Sequence, residues 1–335
     1  MGWTACELHS HTNHSDGRQS LLELAQGAKA LGFDCVALTD HNTMTGLKDR
    51  ESIEQETGLT IISGMEWTTF YGHMVTIGLT EFVDWRPAGP GDIHEGVERV
   101  HALGGIAGMA HPYRIGNPMC TGCFWEFEIR DWNQLDYIEV WSGTFPSIKT
   151  DNARAFRLWT ERLNDGFRIA ATSGRDWHAQ ELTDAPISVT YLQLDENEGS
   201  ITEQAVRALA AGRASVTMGP LVTLELRSEK MVYAIGDCVP EQDRSESYEA
   251  VVEIDFQVRE GLWEFPEARY LITLMSNLGV IGEQHASSEQ KQYRFEIPGK
   301  GLMWVRAELK GNARSMRTMI AFTNAIYAES EQAYD

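Results

Sequence analysis

The chain has 335 residues, 42% hydrophobic and 23% charged, and its 28 Lys+Arg against 49 Asp+Glu give a formal net charge of −21. This composition excludes a disordered polypeptide, and the length suffices for a barrel of more than roughly 200 residues with a smaller second domain. So acidic a surface repels phosphate backbones, which argues against nucleic acid as a general partner. The start, MGWTACELHSHT, has no basic segment followed by an apolar run, and no stretch approaches the roughly 18 apolar residues of a membrane helix. The five cysteines, Cys6, Cys35, Cys120, Cys123 and Cys238, are odd in number and scattered. That usage fits a reducing compartment, so a cytoplasmic protein with no membrane partner is expected.

The first two-thirds of the chain alternates short apolar runs with segments of helical spacing. Helices are expected over 21–32, 44–58 (closed by Gly58), 92–105, 152–166 and 201–213. Strands are expected at the opening CELHSHT and over 35–39, 59–65, 72–79, 106–110, 137–141 and 168–174. Alternation of this kind predicts an α/β fold, a parallel sheet with helices outside it, and this many units predict a closed barrel. Near 218–224 the texture changes. LVTLELRS, EAVVEIDFQVRE, ARYLITLMSN, KQYRFEIPG and LMWVRAELKG are strand-like runs with no helical pattern between them, which predicts a β-sandwich. PEQDRSESYE (240–249) reads as a solvated loop.

His9 and His11 lie two apart on the opening strand and so share a face, where both imidazoles can meet one metal ion. Further along, Asp40 and His41 end one apolar run, Glu66 ends the next, His73 follows in YGHMV, His111 ends IAGMAH, and Asp176 and His178 end RIAATSGRDWH. Barrel active sites are built at the carboxyl ends of several strands. Residues of ligand type repeatedly reaching that end predict a centre of more than one metal ion. The mixed His/Asp/Glu set without thiolate fits hydrolytic Zn, Mn or Fe better than a structural zinc site. Arg114 and Arg175 are candidates to grip an anionic substrate group, the alternative for each being an ordinary salt bridge.

The ordered motifs HSHTNHSDG, TDHN, GMEW…GH, AHP and GRDWH resemble those of the PHP (polymerase and histidinol phosphatase) superfamily, over roughly residues 5–220. That resemblance implies a distorted (β/α)7-like, TIM-type barrel over 1–220, ahead of the β-sandwich expected over 221–335, with two or three divalent ions. Carried onto this chain, His9, His11, Glu66 and Asp176 hold one ion. Glu66, His73 and His111 hold a second, with Glu66 bridging, and Asp16, His41 and His178 hold a third. Within the superfamily the chain looks most like the CehA/McbA-type metallohydrolases, through the short GMEWTTFYGHMVTIG spacing, LAAGRASVTMGP and the trailing AFTNAIY. It departs from that group at Ala325, where proline is usual, and at Arg175, where a small residue is usual.

Such ions acidify a bridging water, which attacks phosphorus or carbonyl carbon while the metal neutralises charge on the substrate oxygens. Three functions follow in order of preference: a phosphoesterase of small phosphorylated molecules, an ester, carbamate or amide hydrolase of the CehA/McbA type, and a non-catalytic metal-stabilised scaffold. Other residues read more plainly. His14 sits at a different offset from the ligand set and reads as a bystander, and Asp40 reads as an orienting carboxylate. Glu139, ending YIEVWSG, either touches the pocket or is purely structural. His94, His101 and His285 read as solvated or capping residues. Cys120 and Cys123 form a CxxC with no second pair and read as two loop thiols. Phe124, Trp125, Phe127 and Trp132 either line a substrate pocket or cover the barrel.

Overall fold

A computed structural model describes residues 2–116, 121–195, 199–259, 261–264 and 269–329. The amino-terminal part runs β1 (Gly2–Ser10), α1 (Leu21–Ala30), β2 (Cys35–Leu38), α2 (Arg50–Thr57), β3 (Thr60–Thr68), β4 (His73–Ile77), α3 (Ile93–Ala102), β5 (Ile106–Met109), β6 (Tyr137–Ser142), α4 (Thr150–Asn164), β7 (Ala170–Gly174), β8 (Val189–Leu194), α5 (Ile201–Ala210) and β9 (Ala214–Thr217). Then follow β10 (Leu221–Arg227), β11 (Val232–Ala234), β12 (Cys238–Val239), β13 (Ser247–Asp255), β14 (Tyr270–Ser276), β15 (Gly279–Ala286), β16 (Gln292–Pro298), β17 (Trp304–Ala313), β18 (Met316–Thr323) and β19 (Ile326–Ala328). The protein is thus an α/β chain rich in strands. Among the described residues no helix is long and apolar enough to cross a membrane.

Local chemistry explains the helices. Ser20 and Glu23 form a capping box at α1, and Leu21, Leu24, Ala25 and Ala28 make its buried stripe. Ser200 and Glu203 repeat the box at α5. The single helix expected over 44–58 is instead split. Thr45–Asp49 is a 3-10 turn and only Arg50–Thr57 is α-helical, burying no side chain. Its opening is constrained by packing: a Cβ on Gly46 would come 2.6 Å from Asp40 Oδ2.

The expected all-parallel sheet is corrected in its middle. β1–β2, β2–β3, β5–β6 and β6–β7 are parallel, but β3–β4 and β4–β5 are antiparallel. A parallel connection needs about a dozen residues or more, and the tight turn between Thr68 and His73, where Thr69 N donates to Gly72 O, permits only a hairpin. The path from β1 to β7 returns on itself at its carboxyl ends, through a parallel bridge between Ser10 and Trp177. There His11 N donates to Trp177 O at 2.9 Å and Trp177 N to His9 O at 3.1 Å. Glycine makes the approach possible: a Cβ on Gly174 would stand 2.4 Å from His9 Cβ.

β8 and β9, which the sequence pattern leaves unassigned, carry the sheet onward. β8 pairs with β1, β9 with β8, and β18 with β9, so the sheet continues from β1 into β17, β19 and β12 across residue 220. A second sheet has the order β11-β10-β13-β16. An apolar cluster lies between the two, with Val222, Leu224 and Val252 from one and Ile272, Leu274 and Ala307 from the other. Another joins Trp141 and Trp159 to Trp304, Phe322 and Tyr327. Beside it the buried Arg306 is held by Glu308 (2.9 Å) and Thr160 (3.0 Å) under the rings of Phe156, Trp159 and Trp304. Asn324, fully buried, lies against β7: its Oδ1 accepts from Ala171 N at 2.7 Å and its Nδ2 donates to Ala171 O at 2.9 Å. That side chain therefore substitutes for a strand partner. Asn324→Ala leaves both backbone groups of Ala171 unpaired, each costing about 1–3 kcal/mol. Urea denaturation is expected to show a loss of about 3 kcal/mol, and an unchanged midpoint would contradict this account.

Candidate metal centre

Two strand irregularities aim side chains into the centre. β1 carries an extra residue between Glu7 and Ser10 relative to β2, and β6 carries one between Glu139 and Trp141 relative to β7. Bulges of this sort bend a strand and redirect a side chain. The residues they redirect meet: His9 Nδ1 lies 2.9 Å from Glu139 Oε2. Three loops that follow the strands also hold non-glycine residues at positive φ, Asn42 at 57°, His111 at 27° and Asp176 at 52°. Such backbone strain costs on the order of 1–3 kcal/mol each and persists where surrounding contacts enforce it. Asn42 illustrates the enforcement, its amide bonding both Thr68 N (2.9 Å) and Thr68 O (3.0 Å).

Glu66 is the hub. It has no solvent exposure, and its Oε2 lies 2.9 Å from His41 Nδ1, 3.2 Å from His9 Nε2 and 3.4 Å from His11 Nε2. Its Oε1 lies 3.0 Å from His73 Nδ1 and 3.2 Å from His111 Nε2. Asp176 Oδ1 lies 3.0 Å from His11 Nε2, and Asp16 Oδ1 lies 3.0 Å from His178 Nε2 and 3.4 Å from His41 Nε2. Three groups bring their ligand atoms within 4.8 Å of one another: His9, His11, Glu66 and Asp176; Glu66, His73 and His111; and His11, Asp16, His41 and His178. All nine residues expected from the sequence are therefore brought together. The departure is His11, which also joins the third group.

The donors fit metal ions. His9 Nε2, His11 Nε2, Glu66 Oε2 and Asp176 Oδ1 are buried and have close neighbours in the cluster, yet none makes an aligned hydrogen bond. Buried polar atoms are normally satisfied, so several lone pairs left over in one place match cation coordination. The surroundings fix which nitrogen faces inward. Glu139 binds His9 Nδ1, and Thr121 O lies 3.3 Å from His73 Nε2, leaving His9 Nε2 and His73 Nδ1 as the inward donors. Asp40 accepts from Thr12 N (2.7 Å), Thr12 Oγ1 (2.6 Å) and Ser15 Oγ (2.6 Å), and so braces the loop between His11 and Asp16. Glu7, two residues before His9, accepts from the backbones of His9 and Arg175, and burial raises its carboxyl pKa to about 7.

Without metal, protons balance the charge. Burial alone would raise the Glu66 pKa, but His9, His41 and His73 hold it well below the usual carboxylate value. Burial disfavours charge on His41 too, yet Glu66 and Asp16 lift its pKa to about 11. His9 is likewise raised against its burial by Glu66, Glu139 and Asp176, whereas burial lowers His11 to about 4.

Other expectations divide. His14 is exposed, and its ring meets Thr45, with Nδ1 2.9 Å from Oγ1. Arg114 reaches the centre, but its Nη1 is taken by Asp176 Oδ2 and its Nη2 donates to Ser142 Oγ at 2.5 Å. Arg175 stacks over Trp177, with Cζ 4.4 Å from the ring centre. Phe127 is buried and Trp125 and Trp132 are partly buried, while Phe124 is 38% exposed. His94 pairs with Gln134, His101 with Asp136 and His285 with Tyr270 O. Cys123 is buried, and Cys120 lies outside the described residues. Sequence reasoning missed Glu7 and Lys149. Glu7 was detectable as a carboxylate within an apolar strand, whereas Lys149 carries no local signal.

A buried carboxylate shared by imidazoles from several strand ends is a site of the kind that can hold divalent metal ions. Residues 7–99 match the PHP domain. An uncharacterised protein of Methanocaldococcus jannaschii is 30% identical over 125 residues, which span 34% of this chain and 69% of that protein. The chain belongs to the PHP domain family. A 3',5'-nucleoside bisphosphate phosphatase of Chromobacterium violaceum is 31% identical over 113 residues, 30% of this chain and only 40% of that enzyme. A two-domain protein of Bacteroides vulgatus, described as containing a predicted PHP-like metal-dependent phosphoesterase, superposes with a TM-score of 0.53 at 15% identity. It covers 97% of this chain and 95% of its own, so the likeness in fold runs nearly end to end.

Two predictions follow from the geometry. Glu139→Gln removes the charge that orients His9, and outer carboxylates of this kind are worth about 10–100-fold in metal affinity. Titration of the metal-free variant with Zn²⁺ is expected to show a loss in that range, and unaltered affinity would count against the Glu139–His9 pair. Because bound metal requires deprotonated imidazoles, Zn²⁺ must displace protons from His9 and His41 at pH 7. Affinity therefore rises with pH, and calorimetry in two buffers of different ionisation enthalpy is expected to show net proton release; none would refute the protonated cluster.

Proposed function

We propose that the protein is a metal-dependent phosphoesterase acting on a small anionic molecule. The observation that carries this is the fully buried Glu66 within reach of His9, His11, His41, His73 and His111, beside Asp176. A carboxylate so buried costs several kcal/mol unless cations answer it. His9, His11, Glu66 and Asp176 hold one divalent ion, Glu66, His73 and His111 a second, and Asp16, His41 and His178 a third, with zinc, manganese or iron matching these donors. When bound, such ions supply an acidified water and neutralise charge on the substrate oxygens. The chain's own contribution is to fix the donors: Glu139, Asp40 and the Thr121 carbonyl orient ligands, and Arg114 holds the outer oxygen of Asp176.

An anionic substrate is favoured over a neutral ester, carbamate or amide because Arg18, Arg114, Lys149 and Arg175 outnumber Asp176 and Glu181 around a cavity of about 320 Å³ that also includes His178. In this proposal residues 1–220 form a distorted barrel that carries the centre and 221–335 an accessory β-sandwich, in a cytoplasmic protein. The test is direct. Metal content is measured, and the Mn²⁺- or Zn²⁺-loaded protein is assayed with a nitrophenyl phosphate, its phosphodiester and an aryl carbamate. Turnover of phosphate esters alone is expected, and Glu66→Ala is expected to lower metal content and abolish it. Carbamate turnover alone would replace the phosphoesterase assignment, and bound metal without turnover of any ester would favour a scaffold.

A further inference from the structure

Beside the centre the charge balance of the protein reverses. A chain of net charge −21 places four cations, Arg18, Arg114, Lys149 and Arg175, against two carboxylates, Asp176 and Glu181, around one cavity. The pairing is uneven. Arg18 is held by Glu181 at 2.5 Å and Arg114 by Asp176 and Ser142, so those two are already engaged. Lys149 Nζ donates only to Ser142 O, at 3.1 Å, and forms no ion pair among the described residues. Its position depends on a missing side chain, because a Cβ on Gly143 would stand 2.3 Å from Nζ. Arg175 stacks its face on Trp177, and its in-plane N–H groups have no protein acceptor among the described residues.

We infer that Lys149 and Arg175 form a second anion subsite, which receives an anionic group of the substrate other than the one that reacts at the metal centre. A guanidinium fork held flat by an indole and an ammonium tethered to a carbonyl keep their remaining donors for such a group. Asp176 separates the two functions. Its Oδ1 faces the imidazoles and its Oδ2 faces Arg114 at the cavity wall. The substrate class is therefore small molecules bearing two anionic groups, the second a phosphate or a carboxylate. This rests on the phosphoesterase assignment for the reacting group.

The experiment compares 1,4-butanediol bisphosphate and 4-carboxybutyl phosphate with 4-hydroxybutyl phosphate as substrates of the Mn²⁺-loaded protein. In the wild type kcat/KM is expected to be about tenfold or more higher for a doubly anionic ester, residing in KM. Lys149→Met and Arg175→Met are each expected to reduce that ratio about tenfold, and Lys149→Arg to restore it, with thermal melts showing that each variant folds. The bisphosphate preferred over the carboxylate assigns the second group as phosphate, and the reverse as carboxylate; either supports the subsite. Equal kcat/KM for all three esters, or a ratio kept in both Met variants, overturns the subsite and leaves the phosphoesterase assignment standing. If no ester is turned over, that assignment falls, and calorimetric binding of the bisphosphate to the same protein decides: about tenfold weaker binding in Lys149→Met supports the subsite, and equal or absent binding overturns it.

Discussion

Everything in the centre depends on one carboxylate kept from water. Glu66 lies near the carboxyl end of β3 with no solvent exposure, and imidazoles approach both of its oxygens. An uncompensated charge there would cost several kcal/mol, more than most single contacts return. The surrounding chain is organised to answer it. Bulges in β1 and β6 redirect His9 and Glu139 toward each other, and strained residues at 42, 111 and 176 turn three loops at the strand ends. Protons on His9 and His41 and cations of a metal cluster are alternative answers to the same buried charge. In the proposed metal centre, folding and metal occupancy would therefore be coupled through Glu66.

The residues gathered around Glu66 were legible in the sequence because most of them end, or lie close to the end of, a recognisable apolar run. His9, His41, Glu66, His111 and Asp176 could be placed at strand ends by period and length alone, and the order of motifs supplied the grouping. The pairing of strands was less legible. The four residues between Thr68 and His73 force a hairpin, but alternating runs and helices suggested uniform parallel pairing. β8 and β9 were missed because their neighbours in space, β1 and β18, lie far away in sequence. Supporting residues were the least visible. In the sequence Glu139 fits a pocket role and a structural one equally, and only the fold sets it beside His9, as it sets Lys149 against Gly143.

Electrostatics operates at two scales here. The chain carries a net charge of −21, while four cations face two carboxylates around one cavity beside the centre. In the proposed function a small anion would be repelled by the net charge of the chain and attracted by the cations of that cavity. Arg114 spans both scales by holding Asp176, a donor to the centre, at the cavity wall.

Asn324 carries a consequence for how such a chain can be divided. An unpaired strand edge recruits other strands, and proteins cover, charge or bend such edges to stay monomeric. Here the cover over Ala171 of β7 is a single amide contributed from more than 150 positions downstream in the chain. A fragment ending near residue 220 would keep every proposed metal ligand yet present that edge, together with the open side of β9, to other molecules. Its failing would then be self-association rather than loss of chemistry. The carboxyl-terminal strands would thus guard the first two-thirds of the chain against aggregation.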